Sequence, residues 1–227
     1  MDQSLAIAQA LRYAEELREL YRAERVQRTR VEDSLARLED SYRTTVGALA
    51  AALDLRDDMT GGHAERVTRL ALRLTDRVAP QLCSDPQLEY GFLLHDLGKI
   101  GVRDAILLKP AALDESERRE IERHPLHGER IVAQIPYLHG LTREIVVSHH
   151  ERWDGDGYPH GLVGSGIPLA ARIFSVADAF DAMTNDRPYR DALPVTTALR
   201  EIERQAGRQF DPAIAGEFAM LLVEEAA

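Results

Sequence analysis

The sequence predicts an all-α fold, and three observations carry that expectation. No run of residues alternates apolar and polar side chains as a half-buried strand would. Residues 4–56 contain no proline and a single glycine, Gly47, and are rich in Ala, Leu, Glu and Arg, all strong helix formers. Beyond that stretch, prolines and capping residues recur at intervals suited to short helices.

The first element is a long helix over residues 4–56. Ile7, Ala10, Ala14, Leu17, Tyr21, Val31, Leu35, Leu38, Tyr42 and Leu49 follow a 3-4 spacing that Glu24 and Arg28 interrupt. This suits a parallel coiled coil with one weak heptad. An amphipathic helix folded back on its own domain would share the pattern; self-association is the preferred reading, giving a homodimer through residues 5–50. Thr60, Gly61 and Gly62 break this helix, and the next runs to Val78 before Pro80. An apolar stretch from Leu88 to Leu97 ends at Gly98. Asp114 with Glu117 reads as a capping box, and Pro125 as the opening of the following helix. Thr142 is expected to cap a helix through His150. Residues 152–167 hold five glycines and Pro159 and read as an ordered loop. Pro168 opens a helix to about Thr184, and Pro194 and Asp211-Pro212 open the last two.

Length and composition set outer bounds. A chain of 227 residues with 44% hydrophobic and 29% charged residues can bury a core. One domain, residues 47–227, behind a helical segment, residues 1–46, is the expected organisation. The net charge of -10 argues against a broad electrostatic grip on DNA. No apolar run is long enough to span a bilayer and no secretion signal opens the chain, so a cytoplasmic location is expected. The single cysteine, Cys83, excludes an internal disulfide or a thiolate metal knuckle and is expected to be a buried small hydrophobe. Of 28 basic residues only Lys99 and Lys109 are lysine. Positions that keep Lys against such an arginine bias suit a compact ammonium on a flexible stem, although chance placement would also serve.

The chemistry lies at helix ends. His95-Asp96-Leu97-Gly98-Lys99 puts an imidazole and a carboxylate beside a glycine that permits close approach. His63, His124, the pair His149 and His150, and Asp178 each fall near another predicted helix end or break, with successive gaps of 32, 29, 25 and 28 residues. Five imidazoles and two carboxylates exceed the needs of one tetrahedral ion but suit two neighbouring ions, with Asp96 the natural bridge. Without a thiolate, such a shell suits iron, manganese or zinc. His127, His139 and His160 are assigned to caps or surface. Asp154 and Asp156 superficially suit a calcium loop, but Pro159 stands where that loop needs glycine and Ser165 where it needs a carboxylate.

Over residues 47–222 the chain resembles the HD-GYP family, a branch of the HD phosphohydrolases. The resemblance rests on eight motifs in order: Asp57 with Thr60-Gly61-Gly62-His63, His95 to Lys99, Leu108-Lys109-Pro110, His124-Pro125, His149 to Pro159, Asp178-Ala179-Phe180-Asp181-Ala182, Asp186 to Arg190, and Phe210-Asp211-Pro212. It implies a helical HD-type bundle with an added loop at Gly157-Tyr158-Pro159 and C-terminal helices. It implies ligation of two divalent metals, iron or manganese, by His63, His95, Asp96, His124, His149, His150 and Asp178. Lys99, Arg187 and Arg190 would hold substrate phosphate, and Asp57 and Asp181 would make second-layer or substrate contacts. Some family members carry a third metal through a glutamate four residues before the first ligand histidine; Met59 stands there, so two metals are expected. The implied reaction is hydrolysis of cyclic di-GMP to linear pGpG and GMP, by a water shared between two cations. Asp96 and Lys99 would be its catalytic residues. The same resemblance admits a weakly catalytic docking module, whose Tyr158 loop meets a diguanylate cyclase (GGDEF) domain or a sensor partner, or a hydrolase of another cyclic dinucleotide.

Overall fold

The computed structural model describes the backbone of residues 3–56, 62–186 and 191–226. Among the described residues there are ten α-helices, three 3-10 turns and no strand, as the absence of alternation predicts. The helices are α1 (Gln3–Arg56), α2 (His63–Val78), α3 (Pro86–Leu93), α4 (Asp104–Leu107), α5 (Glu115–Ile121), α6 (His124–Val132), α7 (Leu141–Ser148), α8 (Leu169–Thr184), α9 (Val195–Arg204) and α10 (Pro212–Ala226). The 3-10 turns are Pro80–Ser84, Leu97–Gly101 and Gly164–Gly166.

The chain divides into two compact units between Thr45 and Val46. In the first, α1 leaves its apolar positions exposed, among them Ile7, Leu17, Tyr21, Val31, Leu35 and Leu38. Arg28, at the interruption of the 3-4 pattern, pairs with Glu32 one turn later.

In the second unit, α2 and α8 are central because each contributes buried side chains to two core clusters. Leu74, Ile173, Phe180, Ile202, Ile214 and Phe218 join α2 and α8 to α9 and α10. Val67, Ala71, Phe92, Ile145 and Phe174 join the same pair to α3 and α7. A third cluster carries Val46 and Ala50 of α1 against Ala64, Tyr90, Leu94, Val132 and Val146. No described helix is long and apolar enough to cross a membrane.

Local signals acted largely as their chemistry dictates. Asp114 accepts from the Ser116 and Glu117 amides while the Glu117 carboxylate accepts from the Asp114 amide, the complete capping box. Pro125 stands in the first turn of α6, where its missing N–H costs nothing. Three expectations are corrected. The helix expected to reach Leu97 stops at Leu93, and the chain continues as a 3-10 turn. Thr142 does not cap α7, which begins at Leu141 behind Gly140; its hydroxyl instead donates to the Gln87 carbonyl of α3 at 2.8 Å. Cys83 is exposed, because the 3-10 turn at Pro80–Ser84 buries none of its residues.

Candidate metal centre

Three imidazoles are aimed by the helix ends on which they sit. The last carbonyls of an α-helix have no intrahelical partner. His95, just past α3, has Nδ1 2.9 Å from the Phe92 carbonyl oxygen. His149, at the end of α7, has Nδ1 3.0 Å from that of Val146. His124 has Nδ1 2.7 Å from the carbonyl of Ile121, the last residue of α5. The residue that would otherwise bond this carbonyl is Pro125, which has no N–H. A carbonyl only accepts, so in each pair Nδ1 carries a proton and Nε2 is the atom left to face inward.

His63 opens α2, where no C-terminal carbonyl is at hand. Its Nδ1 lies 2.8 Å from Asp181 Oδ2. The Arg66 guanidinium, one turn along α2, holds that carboxylate with Nε 3.0 Å from Oδ1 and Nη2 3.2 Å from Oδ2. His63 Nε2 then faces Asp178 Oδ1 at 3.4 Å.

Two groups of donors result. Asp96, His124, His149 and His150 form one, and His63, His95 and Asp178 the other; within each group the ligand atoms lie within 4.8 Å of one another. Asp96 touches both. Its Oδ1 is 3.3 Å from His124 Nε2 and 3.8 Å from His149 Nε2, while its Oδ2 is 3.1 Å from His95 Nε2.

The donor set fits a cation on two observations. His124 Nε2 and His149 Nε2 stand 3.2 Å apart, with both Nδ1 atoms already committed to main-chain carbonyls. Two inward-facing imidazole nitrogens at that distance call for a positive charge between them. Asp96 Oδ1, at the same place, is buried and accepts no hydrogen bond, a costly state for a carboxylate oxygen without a cation.

The electrostatics agree. Burial, aided by the neighbouring imidazoles, drags His149 down to about 4 and holds His150 well below its usual range, so both are neutral donors near pH 7. Burial would raise Asp96, but Lys99 and His95 hold it well below the carboxylate range. His63 likewise holds the half-buried Asp178 low. Burial opposes charge on His63, but hydrogen bonds to Asp178 and Asp181 push it up to about 9.

Lys99 extends from the Leu97–Gly101 turn to place Nζ 2.8 Å from Asp96 Oδ2. The turn lies tight on α6: a side chain at Gly98 would collide with the His124 carbonyl oxygen and the Gly128 amide. On the far side, the loop after His150 closes over the centre. The Tyr158 ring lies 4.7 Å from that of His150 and 6.3 Å from that of His124, and Pro159 follows it through a cis peptide bond. Glu151 is buried and accepts from the His160 and Leu162 amides at 2.8 and 2.9 Å. Trp153 and Asp154 donate their amides to the Gln209 and Arg208 carbonyls, and Arg172 lies over the Trp153 ring. Gly157 has no room for a Cβ against the backbone of residues 150–152.

All seven expected ligands therefore fall in one place, with Lys99 and Tyr158 beside them. Asp57, Met59, Arg187 and Arg190 lie outside the described residues. Asp181 is found behind His63. His139 and His160 are exposed, and His127 joins neither donor group. Sequence reasoning missed Arg66, whose spacing of three from His63 on a helix was the available signal. It also missed Glu151 and the carbonyl anchors, which no residue type announces.

The family model described as HD domain matches residues 47–214, and the chain belongs to that family. At finer resolution, it is 39% identical over 181 residues to the cyclic di-GMP phosphodiesterase response regulator RpfG of Xanthomonas campestris pv. campestris, covering 79% of this chain and 48% of that one. It is 41% identical over 180 residues to the 3'3'-cGAMP-specific phosphodiesterase 3 of Vibrio cholerae, covering 77% and 38%. The crystal structure of a cyclic GMP-AMP-specific phosphodiesterase of V. cholerae superposes with a TM-score of 0.61 at 20% identity, over 79% of this chain and 48% of that one, a likeness of fold. These matches support the HD-GYP resemblance. The chain spans about half or less of the length of these relatives.

Proposed function

We propose that residues 47–227 hydrolyse cyclic di-GMP to linear pGpG, and by a second cut of the same kind to GMP. The observation that carries this reading is the Asp96 carboxylate, with one oxygen toward His124 and His149 and the other toward His95. His124, His149, His150 and Asp96 would hold one divalent cation, and His63, His95, Asp178 and Asp96 the other. Iron or manganese suits these nitrogen and oxygen donors. Such cations lower the pKa of bound water and neutralise phosphodiester charge. The Lys99 ammonium, at the Asp96 edge of the centre, donates to a non-bridging phosphate oxygen and meets the extra negative charge of the transition state. Arg187 and Arg190 serve the same phosphate, with Asp57 a further contact. Asp181 acts through His63. The rings of Tyr158 and Phe174, the latter 4.7 Å from His95, limit water around the ligands.

Protein loaded anaerobically with iron or manganese is expected to bind two ions per chain and to release pGpG from cyclic di-GMP. Two bound ions with no cleavage of any cyclic dinucleotide would end this reading. The V. cholerae relative supports a second substrate, 3'3'-cGAMP, and a side-by-side comparison of kcat/KM for the two decides between them. The exposed apolar positions of α1 support a homodimer through residues 5–50, which sedimentation tests. Input from a sensor, or docking of a GGDEF domain on the Gly157-Tyr158-Pro159 loop, is proposed on the resemblance alone.

A further inference from the structure

We infer that Arg56, the last residue of α1, is a positioning residue for Lys99, so that the final turn of α1 is part of the reaction centre. The inference rests on the phosphate-binding role proposed for Lys99. The Arg56 guanidinium donates through Nη1 to the Lys99 carbonyl at 2.7 Å and through Nη2 to the Val102 carbonyl at 2.7 Å and Asp104 Oδ1 at 2.8 Å. These two carbonyls belong to the 3-10 turn, Leu97–Gly101, and to the residue that caps it. A 3-10 turn has poor hydrogen-bond geometry and little stiffness of its own, yet this one carries Lys99 and follows directly on Asp96.

The turn is fixed from outside at two places. Gly98 presses it against the backbone of α6 at His124 and Gly128. Arg56 holds it separately by the carbonyl of Lys99 itself. A planar fork suits this task, since its two terminal nitrogens serve two carbonyls and a carboxylate at once. Leu53, Asp54 and Arg56 line one cleft with Asp96, Lys99 and Leu107. The same turn of α1 also reaches the first ligand: buried Asp54 accepts from the Ala64 amide at 3.1 Å, next to His63. The end of α1 therefore contacts the backbone of both the Lys99 turn and the His63 turn.

The test is a double-mutant cycle with an exchange measurement beside it. Arg56→Ala is expected to lower kcat for cyclic di-GMP by about 10- to 100-fold with KM and the two-ion content little changed, as for loss of orientation of one transition-state donor. In a Lys99→Ala background the same substitution is expected to cost less than about 3-fold, because residues acting as one unit are not additive. Equal losses in the two backgrounds would overturn the inference. Amide exchange at residues 97–103 is expected to rise in Arg56→Ala while residues 124–132 stay protected; unchanged exchange at 97–103 would overturn it whether or not the nucleotide is cleaved. An inactive parent protein would count against the proposed function and leave the exchange comparison to decide this point. Should Arg56→Ala fail to fold, Arg56→Gln keeps one amide donor and is expected to show a smaller loss of the same kind, with an unaltered kcat refuting it.

Discussion

His63 and Asp181 meet at 2.8 Å between Nδ1 and Oδ2, and this contact does at the start of α2 what free main-chain carbonyls do for His95, His124 and His149. His95 and His149 lie at helix C-termini, and His124 follows directly on the end of α5, so each finds an orphan carbonyl within reach. His63 opens α2 with no helix end just before it, so a carboxylate from α8 takes that role and Arg66 holds it. Asp181→Ala is therefore expected to free the ring and weaken, by roughly 10- to 100-fold, binding of the ion proposed to sit among His63, His95 and Asp178. The ion held by His124, His149 and His150 should be retained. Metal titration should show one strong and one weakened site; two unaltered sites would remove Asp181 from the centre.

Lys99 and Asp96 share a contact of 2.8 Å but should fail differently when replaced. Lys99→Ala leaves the seven proposed ligands in place and removes the ammonium proposed to donate to the phosphate. About 3 kcal/mol should be added to the barrier, roughly 100-fold in kcat, with two ions still bound. Asp96→Asn removes the charge that both groups share, so bound metal should drop below two ions per chain and turnover should vanish. Metal analysis and kinetics on the same samples separate the two outcomes.

The fold class and the convergence of the seven proposed ligands were legible because each depends on local chemistry. The proline-free stretch before residue 57, the Asp114–Glu117 capping box and the Pro125 helix start all act within a few residues of themselves. The placement of candidate ligands at helix ends was readable for the same reason: the anchors of His95, His124 and His149 are carbonyls three residues back. What stayed hidden depends on distant partners. Asp181 is 118 positions from His63, and Arg56 is 43 from Lys99. Thr142 reads as a cap until Gln87 of α3 is beside it, and Cys83 reads as core until its turn is seen to bury nothing.

The loop that follows His149 and His150 is held by two features suited to stability measurements. Glu151 accepts two amide hydrogen bonds in a buried setting, and charge-assisted bonds of this kind contribute about 1.5–3 kcal/mol each. Glu151→Ala should lower stability by several kcal/mol, and Glu151→Gln by less, since its single carbonyl oxygen can serve only one amide well. Gly157→Ala forces a methyl into the backbone of residues 150–152, and overpacking costs about 1–3 kcal/mol. Chemical denaturation reads both. Gly157→Ala should also lower kcat, because the displaced backbone includes His150; a fully active variant would show that the loop and its ligand move independently.

The charge on His63 gives the stability of chelator-treated protein a defined pH dependence. Against burial, Asp178 and Asp181 push His63 up to about 9, compared with about 6.5 in an unfolded chain. The folded state therefore holds the proton more tightly, and the resulting stabilisation is fully present below pH 6.5 and lost as pH rises through 9. Its upper size is on the order of 3 kcal/mol. His149, dragged down to about 4 by burial, acts in the opposite direction, its contribution present above pH 6.5 and lost as pH falls toward 4. Comparing wild type with His63→Gln isolates the first effect from the second. The stability difference between them should shrink steadily from pH 6.5 to pH 9.5 in urea unfolding. A difference that is flat or growing over that range would mean that the Asp178 and Asp181 carboxylates do not hold a charged imidazole between them.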